Sequence, residues 1–264
     1  MRVVDPVRVT TVTQEGSTVS DAAVAASFLL PLGFTLLFVM SIFITSGYLL
    51  QSVTEEKENR VVEILLSSVP SLPLMAGKIL GLGASGLTQV AIWIVASLLF
   101  IPVIGGQVGG LGDLHVTPFV LVLGVVYFVL GYLSFGAIFT AVGAVAPGNR
   151  EAQQYSGFFG FIAVIPLIFS SVFFSDTGSP LVWALALFPL TAPASMLMVL
   201  TIAETLPVGM VLASLLSLSI FVVLATVASA RVFRATLLLY GVRPSVRRIL
   251  DAMLARDQGA ASSG

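Results

Sequence analysis

Long apolar runs separated by short polar loops set the pattern of this 264-residue chain. Five of them, at residues 22–50, 74–101, 118–146, 155–174 and 206–232, contain the roughly 20 helical residues needed to cross about 30 Å of hydrocarbon. A sixth run, 181–200, is as long, but Pro189 and Pro193 interrupt it and Pro207 follows. Each proline removes a backbone donor and clashes with the preceding turn, which disfavours a straight spanning helix in lipid. The pattern predicts an all-α polytopic membrane protein with five transmembrane helices.

The placement of Lys and Arg decides between five spans and six, because cytoplasmic loops carry the excess of both. Lys57, Arg60 and Lys78 flank the first loop, Arg150 lies in the third, and Arg231, Arg234, Arg243, Arg247, Arg248 and Arg256 fill the C-terminal tail. Five spans put all of these on one side and leave only Arg2 and Arg8 elsewhere. A sixth span would carry the Arg-rich tail to the opposite side. The segment 181–205 therefore reads as a re-entrant helical hairpin on the outer face. The N-terminus lies outside, the C-terminus in the cytoplasm, and the glycine-rich loop 105–112 faces outward with Asp113, Asp176 and Glu204.

Composition narrows the class further. Hydrophobic residues make up 57% of the chain and charged residues 9%, with a mean hydropathy of +1.07. A soluble domain carries about 25% charged residues, so this chain has lipid as its solvent. A net charge of −1 gives no basis for a nucleic-acid partner, and the absence of cysteine removes disulfides, thiolate nucleophiles and sulfur-ligated metal sites. Residues 1–21 are polar where the apolar core of a signal peptide would stand. No internal repeat is evident, so sequence symmetry gives no support to an inverted-repeat carrier.

The most informative segment is EEKENRVVEILLSS at 55–68. On a helix, Val62, Leu65, Leu66 and Val69 share one face, while Glu56, Asn59, Arg60, Glu63 and Ser67 share the other. Glu56 and Arg60 are spaced i,i+4 with the acid first, the supportive orientation. Ser52 and Glu55 have the spacing of a capping box, and Pro70 and Pro73 close the segment. Two readings stand: a short amphipathic helix, at about 54–69, that docks onto a soluble partner, or one that lies on the headgroups. Four Glu against one Lys and one Arg favour docking, since an anionic membrane surface repels acids.

Other chemistry finds little foothold. Ala76-Gly77-Lys78 imitates the end of a phosphate-binding loop, but Leu72 stands where that motif needs glycine, and Ile79 where it needs Ser or Thr. His115 is the single histidine and cannot complete a metal set. No metal site, catalytic residue or resident cofactor is expected. No Asp, Glu, Lys or Arg sits mid-span, which argues against a carboxylate-based proton relay. Polar groups left to line a path are Gln89, Tyr127, Thr140 and Ser170, with Thr88, Ser97, Tyr132 and Ser171; they serve equally as helix-packing groups. Gly77, Gly81, Gly131, Gly136, Gly143, Gly157 and Gly160 read as points of close helix approach.

In this order of features the chain resembles the permeases of type-2 ATP-binding-cassette (ABC) transporters, in particular their sodium- and drug-export branch. The residues that carry the resemblance are EEKENRVVEILLSS, LMAGKILG at 74–81, FPLTAPASM at 188–196 and ARVFRATLLLYGVRPSVRRIL at 230–250. The resemblance implies that 55–68 is a coupling helix docked in a groove of an ABC-type ATPase subunit through Glu55, Glu56, Glu58, Arg60 and Glu63. It also implies that Pro189 and Pro193 break the outer re-entrant helices. ATP and magnesium would be bound by the ATPase partner, and a second permease copy or half would complete the assembly in the plasma membrane. Such permeases begin with a further helix and an outer domain, of which residues 1–21 resemble the last piece. Residues 22–232 then form the permease domain, and 233–264 a cytoplasmic tail. The rival expectations are a scaffold or sensor that holds a soluble partner through the same segment, and an ATP-independent carrier.

The topology is testable because the chain has no cysteine background. Ser179→Cys and Glu204→Cys should both react with an impermeant reagent from outside intact cells, and Ser245→Cys only after permeabilisation. Labelling of Ser179→Cys and Glu204→Cys from opposite sides would establish a sixth span.

Overall fold

A computed structural model describes residues 21–58, 71–105, 118–203 and 205–238. Among them all regular structure is helical: α1 (Asp21–Glu58), α2 (Ser71–Gly105), α3 (Pro118–Val145), α4 (Asn149–Ile168), α5 (Ser170–Ser175), α6 (Pro180–Leu187), α7 (Ala192–Ile202) and α8 (Val208–Leu238). Five stretches are long and apolar enough to cross a membrane, namely Phe28–Glu55, Gly77–Ala96, Phe119–Val145, Asn149–Ser175 and Val208–Val232. The protein is an all-α polytopic membrane protein.

Side-chain contacts fix the direction of each helix. Phe38 meets Phe128 with ring centroids 5.8 Å apart, and Gly143 approaches Val53, so α1 and α3 run parallel. Tyr132 donates to the Ile79 carbonyl at 3.0 Å and Gly86 abuts Phe128, which makes α2 antiparallel to α3. Gly160 packs on Phe43 and Phe28 on Phe174 at 4.7 Å, so α4 and α5 run against α1. Tyr127 reaches Val211 near the start of α8, and Val232 near its end faces Val145, so α8 is parallel to α3. Glu55, Lys78, Arg150, Glu151 and Arg231 consequently gather at one end of the bundle, and α6 and α7 enter from the other.

Helix α3 is the axis of the bundle. Half of its spanning window is buried, against 6% for α2, and its largest interfaces are with α8 and α1. Tyr127, Phe128, Phe135 and Phe139 are fully enclosed. Phe43 of α1 contacts Phe135 and Phe139 edge to face, with centroids 5.3 Å away in each case, the arrangement ring quadrupoles favour. Association in lipid rests on such packing, because lipid tails are as apolar as the side chains they would replace. Close approach is made at glycines: a Cβ on Gly86 would sit 2.5 Å from Thr45 Oγ1, and one on Gly131 2.8 Å from Ile42.

Several expectations are corrected. α1 continues unbroken to Glu58, so Ser52 lies inside a helix and caps nothing. Thr54 bonds back to the Leu50 and Gln51 carbonyls at 3.1 and 3.0 Å, and no proline or glycine interrupts this stretch. The fourth span starts at Asn149 rather than 155, and it breaks at Phe169. Pro166 supplies no N–H to the Ile162 carbonyl, which weakens the ladder just before that break. α8 runs to Leu238, and its membrane-spanning stretch ends at Val232, the expected end of the last span. Gly77, Gly81 and Gly157 meet nothing within 4 Å, whereas Gly83 and Gly86 abut Tyr132 and Phe128. Residues 1–20, 59–70, 106–117, 204 and 239–264 lie outside the described residues, and with them the loop at 105–112 beyond Gly105, Asp113, His115 and most of the tail.

These contacts predict opposite outcomes for two neighbouring glycines. Gly86→Val should cost about 1–3 kcal/mol by overpacking and lower the melting temperature in detergent by several degrees. Gly81→Ala should leave it unchanged or slightly raised, since the added methyl meets open space and alanine favours the helix.

Candidate functional site

The least regular part of the membrane-spanning region is the hairpin α6–α7, and local chemistry builds it. Asp176 Oδ1 accepts from the Gly178 N–H at 2.8 Å, a short turn that reverses the chain after α5. Ser179 then caps α6, its Oγ accepting from Val182 N–H at 3.4 Å, with Pro180 at the first helical position, where a missing N–H costs nothing. α6 has 8 residues and α7 has 11, about 12 and 16 Å at 1.5 Å per residue. Neither can cross about 30 Å of hydrocarbon. Both ends of the hairpin lie where α5 stops and α8 begins.

A helix that ends inside a membrane leaves carbonyls that no water can reach. Here each carbonyl at the end of α6 has a donor. Ala184 accepts from Phe188 N–H at 3.0 Å. Leu185 accepts from Thr191 Oγ1 at 2.6 Å, Ala186 from Ser214 Oγ at 2.7 Å, and Leu187 from Ser217 Oγ at 2.7 Å. The Phe188 carbonyl takes the Thr191 and Ala192 N–H groups at 3.0 and 2.8 Å. Ser214 and Ser217 stand i,i+3 on α8, so one helix face meets two successive carbonyls of another. Sequence reasoning did not single out these two serines. Their signal is the spacing itself, two hydroxyls on one face of an otherwise apolar span.

On its other side the hairpin is wedged into the bundle. Pro193 packs on Gly131, its ring carbons 3.0 and 3.2 Å from where a Cβ would stand, and Leu197 lies beside Gly124. Residues 191–196 are all buried. Three enclosed hydroxyls, Thr35 Oγ1, Ser134 Oγ and Ser195 Oγ, have no hydrogen-bond partner; they belong to α1, α3 and α7, the helices that meet around the hairpin.

The structure separates the residues singled out in the sequence. Pro189 lies in the turn between α6 and α7, and Pro193 in the first turn of α7. Tyr127 is buried and donates to the Val211 carbonyl at 3.3 Å, tying α3 to α8. Thr140 bonds to its own helix at Gly136 O, 2.8 Å away, and sits about 20 Å along α3 from Tyr127. Gln89 on α2 and Ser170 at the start of α5 are half-buried, and these four do not gather into one site. Glu55 is exposed and accepts from Gln51 Nε2 at 2.6 Å. Glu56 and Glu58 fall in the last turn of α1, and Arg60 and Glu63 lie outside the described residues. Among the described residues no group of His, Asp or Glu could hold a metal ion.

Among the described residues the packing leaves hollows, of which two bear on the hairpin and the bundle. One of about 150 Å³ lies among α1, α2, α3 and α7. The other, about 640 Å³ and more open, lies at the opposite end between α3, α4 and α8, with Gln154 and Tyr155 on its wall.

This architecture can be set beside known proteins. Residues 5–231 match the pattern of the ABC-2 family transporter proteins. The chain belongs to that family. Among curated relatives, the uncharacterized protein MJ1024 of Methanocaldococcus jannaschii is 30% identical over 224 residues, covering 85% of this chain and 53% of its own length. The uncharacterized protein YhaP of Bacillus subtilis is 25% identical over 228 residues, covering 83% of this chain and 54% of its own length. The chain thus spans about half the length of these curated relatives. No solved structure matches it significantly.

The carbonyl arrangement yields a direct test. Ser214→Ala leaves a buried carbonyl unpaired and should cost about 1–3 kcal/mol, and Ser217→Ala, whose carbonyl is part-buried, less. The double variant should lower the melting temperature in detergent markedly, while Ser219→Ala, on the exposed side of α8, should not.

Proposed function

We propose that this chain is the membrane-spanning permease part of an ATP-driven exporter. Membership of the ABC-2 family over residues 5–231 supports the transporter class. The observation that carries the mechanism is the course of α1, one unbroken helix from the bundle core, where Phe38 and Ile42 are buried, to the acidic turn at 55–58. That turn lies at the end opposite the hairpin. A soluble ATPase that engaged the segment 54–69 would hold the end of a rigid lever whose other part packs on α3, α4 and α7. Closure of an ATPase pair on ATP would then push this lever and rock the spans between inward and outward access, a rigid-body transition.

The orientation follows from charge. Lys78, Arg150 and Arg231 share the end of the bundle that carries Glu55, and positive residues mark the cytoplasmic side. The N-terminus and the hairpin therefore face outward. ATP and magnesium belong to the partner subunit, and a second permease copy or half completes the path.

Affinity purification from mild detergent should recover an ABC-type ATPase with this chain. Replacing Glu56, Arg60 and Glu63 together by Ala should weaken recovery about tenfold, roughly 1.4 kcal/mol, without loss of membrane insertion. In the reconstituted complex ATP hydrolysis should rise with transported substrate. Recovery unchanged in the triple variant would remove the coupling assignment. Recovery of an ATPase whose hydrolysis no substrate stimulates would favour a scaffold over a pump.

A further inference from the structure

The smaller hollow has a composition that selects its occupant. Phe34 and Phe38 of α1, Trp93 of α2, Leu121 and Gly124 of α3 and Leu197 of α7 form its walls, around about 150 Å³. Its two hydroxyl side chains are already engaged. Ser41 Oγ donates to the Leu37 carbonyl at 2.9 Å, and Thr201 Oγ1 donates to the Leu197 and Met198 carbonyls at 2.9 and 3.0 Å. Neither hydroxyl therefore has a proton left to donate to a guest, and a polar guest would lose most of its hydration without replacement. An apolar cavity of about this volume stays dry and takes a guest the size of benzene.

Position narrows the guest further. Every wall belongs to a membrane-spanning window or to the hairpin, and Trp93 and Val125 on the rim are each 38% exposed. The pocket therefore opens sideways, at the depth of the acyl chains. It is too small for a further helix, which is about 10 Å across with its side chains. It has the bore and the polarity of a hydrocarbon chain. We propose that this pocket binds the terminal segment of a bilayer lipid's acyl chain. A chain lodged there touches α1, α2 and α3 on one side and the hairpin through Leu197 on the other. The site does not depend on whether the protein pumps anything.

Photolabelling tests this with the full chain in phosphatidylcholine nanodiscs that contain a small fraction of phosphatidylcholine with a diazirine on its acyl chain. After irradiation, adducts on peptides around Trp93 and Leu197 should exceed severalfold those around Phe158 and Phe161, which are exposed on α4. Gly124→Leu should bring the excess down to the α4 level. A Cβ there lies 3.9 Å from Leu197, ordinary contact, so the rest of the leucine side chain enters the hollow. Leu121→Trp fills the same space and serves if the first variant does not fold. Ser41→Ala with Thr201→Val should leave the excess intact. Labelling no higher than on α4, or an excess that survives a filled pocket in a variant of unchanged melting temperature, would overturn the proposal. So would loss of the excess on removal of the two hydroxyls, which would mark a polar ligand.

Discussion

A polypeptide in hydrocarbon has no water to complete its backbone hydrogen bonds, and the fold of this protein follows from how that demand is met. Four long helices and the α4–α5 span meet it largely within themselves. The hairpin cannot, because α6 stops at Leu187, and its survival depends on three hydroxyls. Thr191, Ser214 and Ser217 cover Leu185, Ala186 and Leu187 in turn. Two of these hydroxyls come from α8, so the same bonds that terminate one helix also fix the position of another. Polar side chains in this span are thus structural in the strict sense that they stand in for solvent.

The second constraint is steric. With no hydrophobic force between helices in lipid, contact has to be made by shape. α3 presents Gly131, Gly136 and Gly143 to Ile42, Leu49 and Val53 respectively, while its phenylalanines fill the gaps between these approaches. Gly86 admits Thr45 and Phe128 in the same way. The bundle is held by notches and rings that alternate along a single axis, and α2, which has few of either, is correspondingly peripheral.

Much of this was legible in the sequence, for definable reasons. The spans are visible because run length in lipid is a strict requirement, and the hairpin because Pro189 and Pro193 cannot continue a straight ladder. The end of α1 was misread because Ser52 and Glu55 have capping spacing, yet caps act only where a helix starts, and nothing between Gly47 and Glu58 stops this one. Gly81 and Gly86 look alike in sequence; only the neighbour across the interface distinguishes an open glycine from a notch. Ser214 and Ser217 were missed for the same reason, since their partners are carbonyls 28 and 30 residues away. The polar residues chosen as a path, Gln89, Tyr127, Thr140 and Ser170, were grouped by type, and type does not fix depth.

The hairpin also makes the protein unequal through the bilayer. Among the described residues, seven helical segments cross a given plane near the end where α6 and α7 enter, counting α1, α2, α3, α8 and the α4–α5 span, against the five spans near the other end. The molecule displaces more lipid from one leaflet than from the other. Its insertion is therefore coupled to the lateral pressure and spontaneous curvature of the leaflet that houses the hairpin, and any motion that withdraws or tilts α7 does work against that leaflet alone.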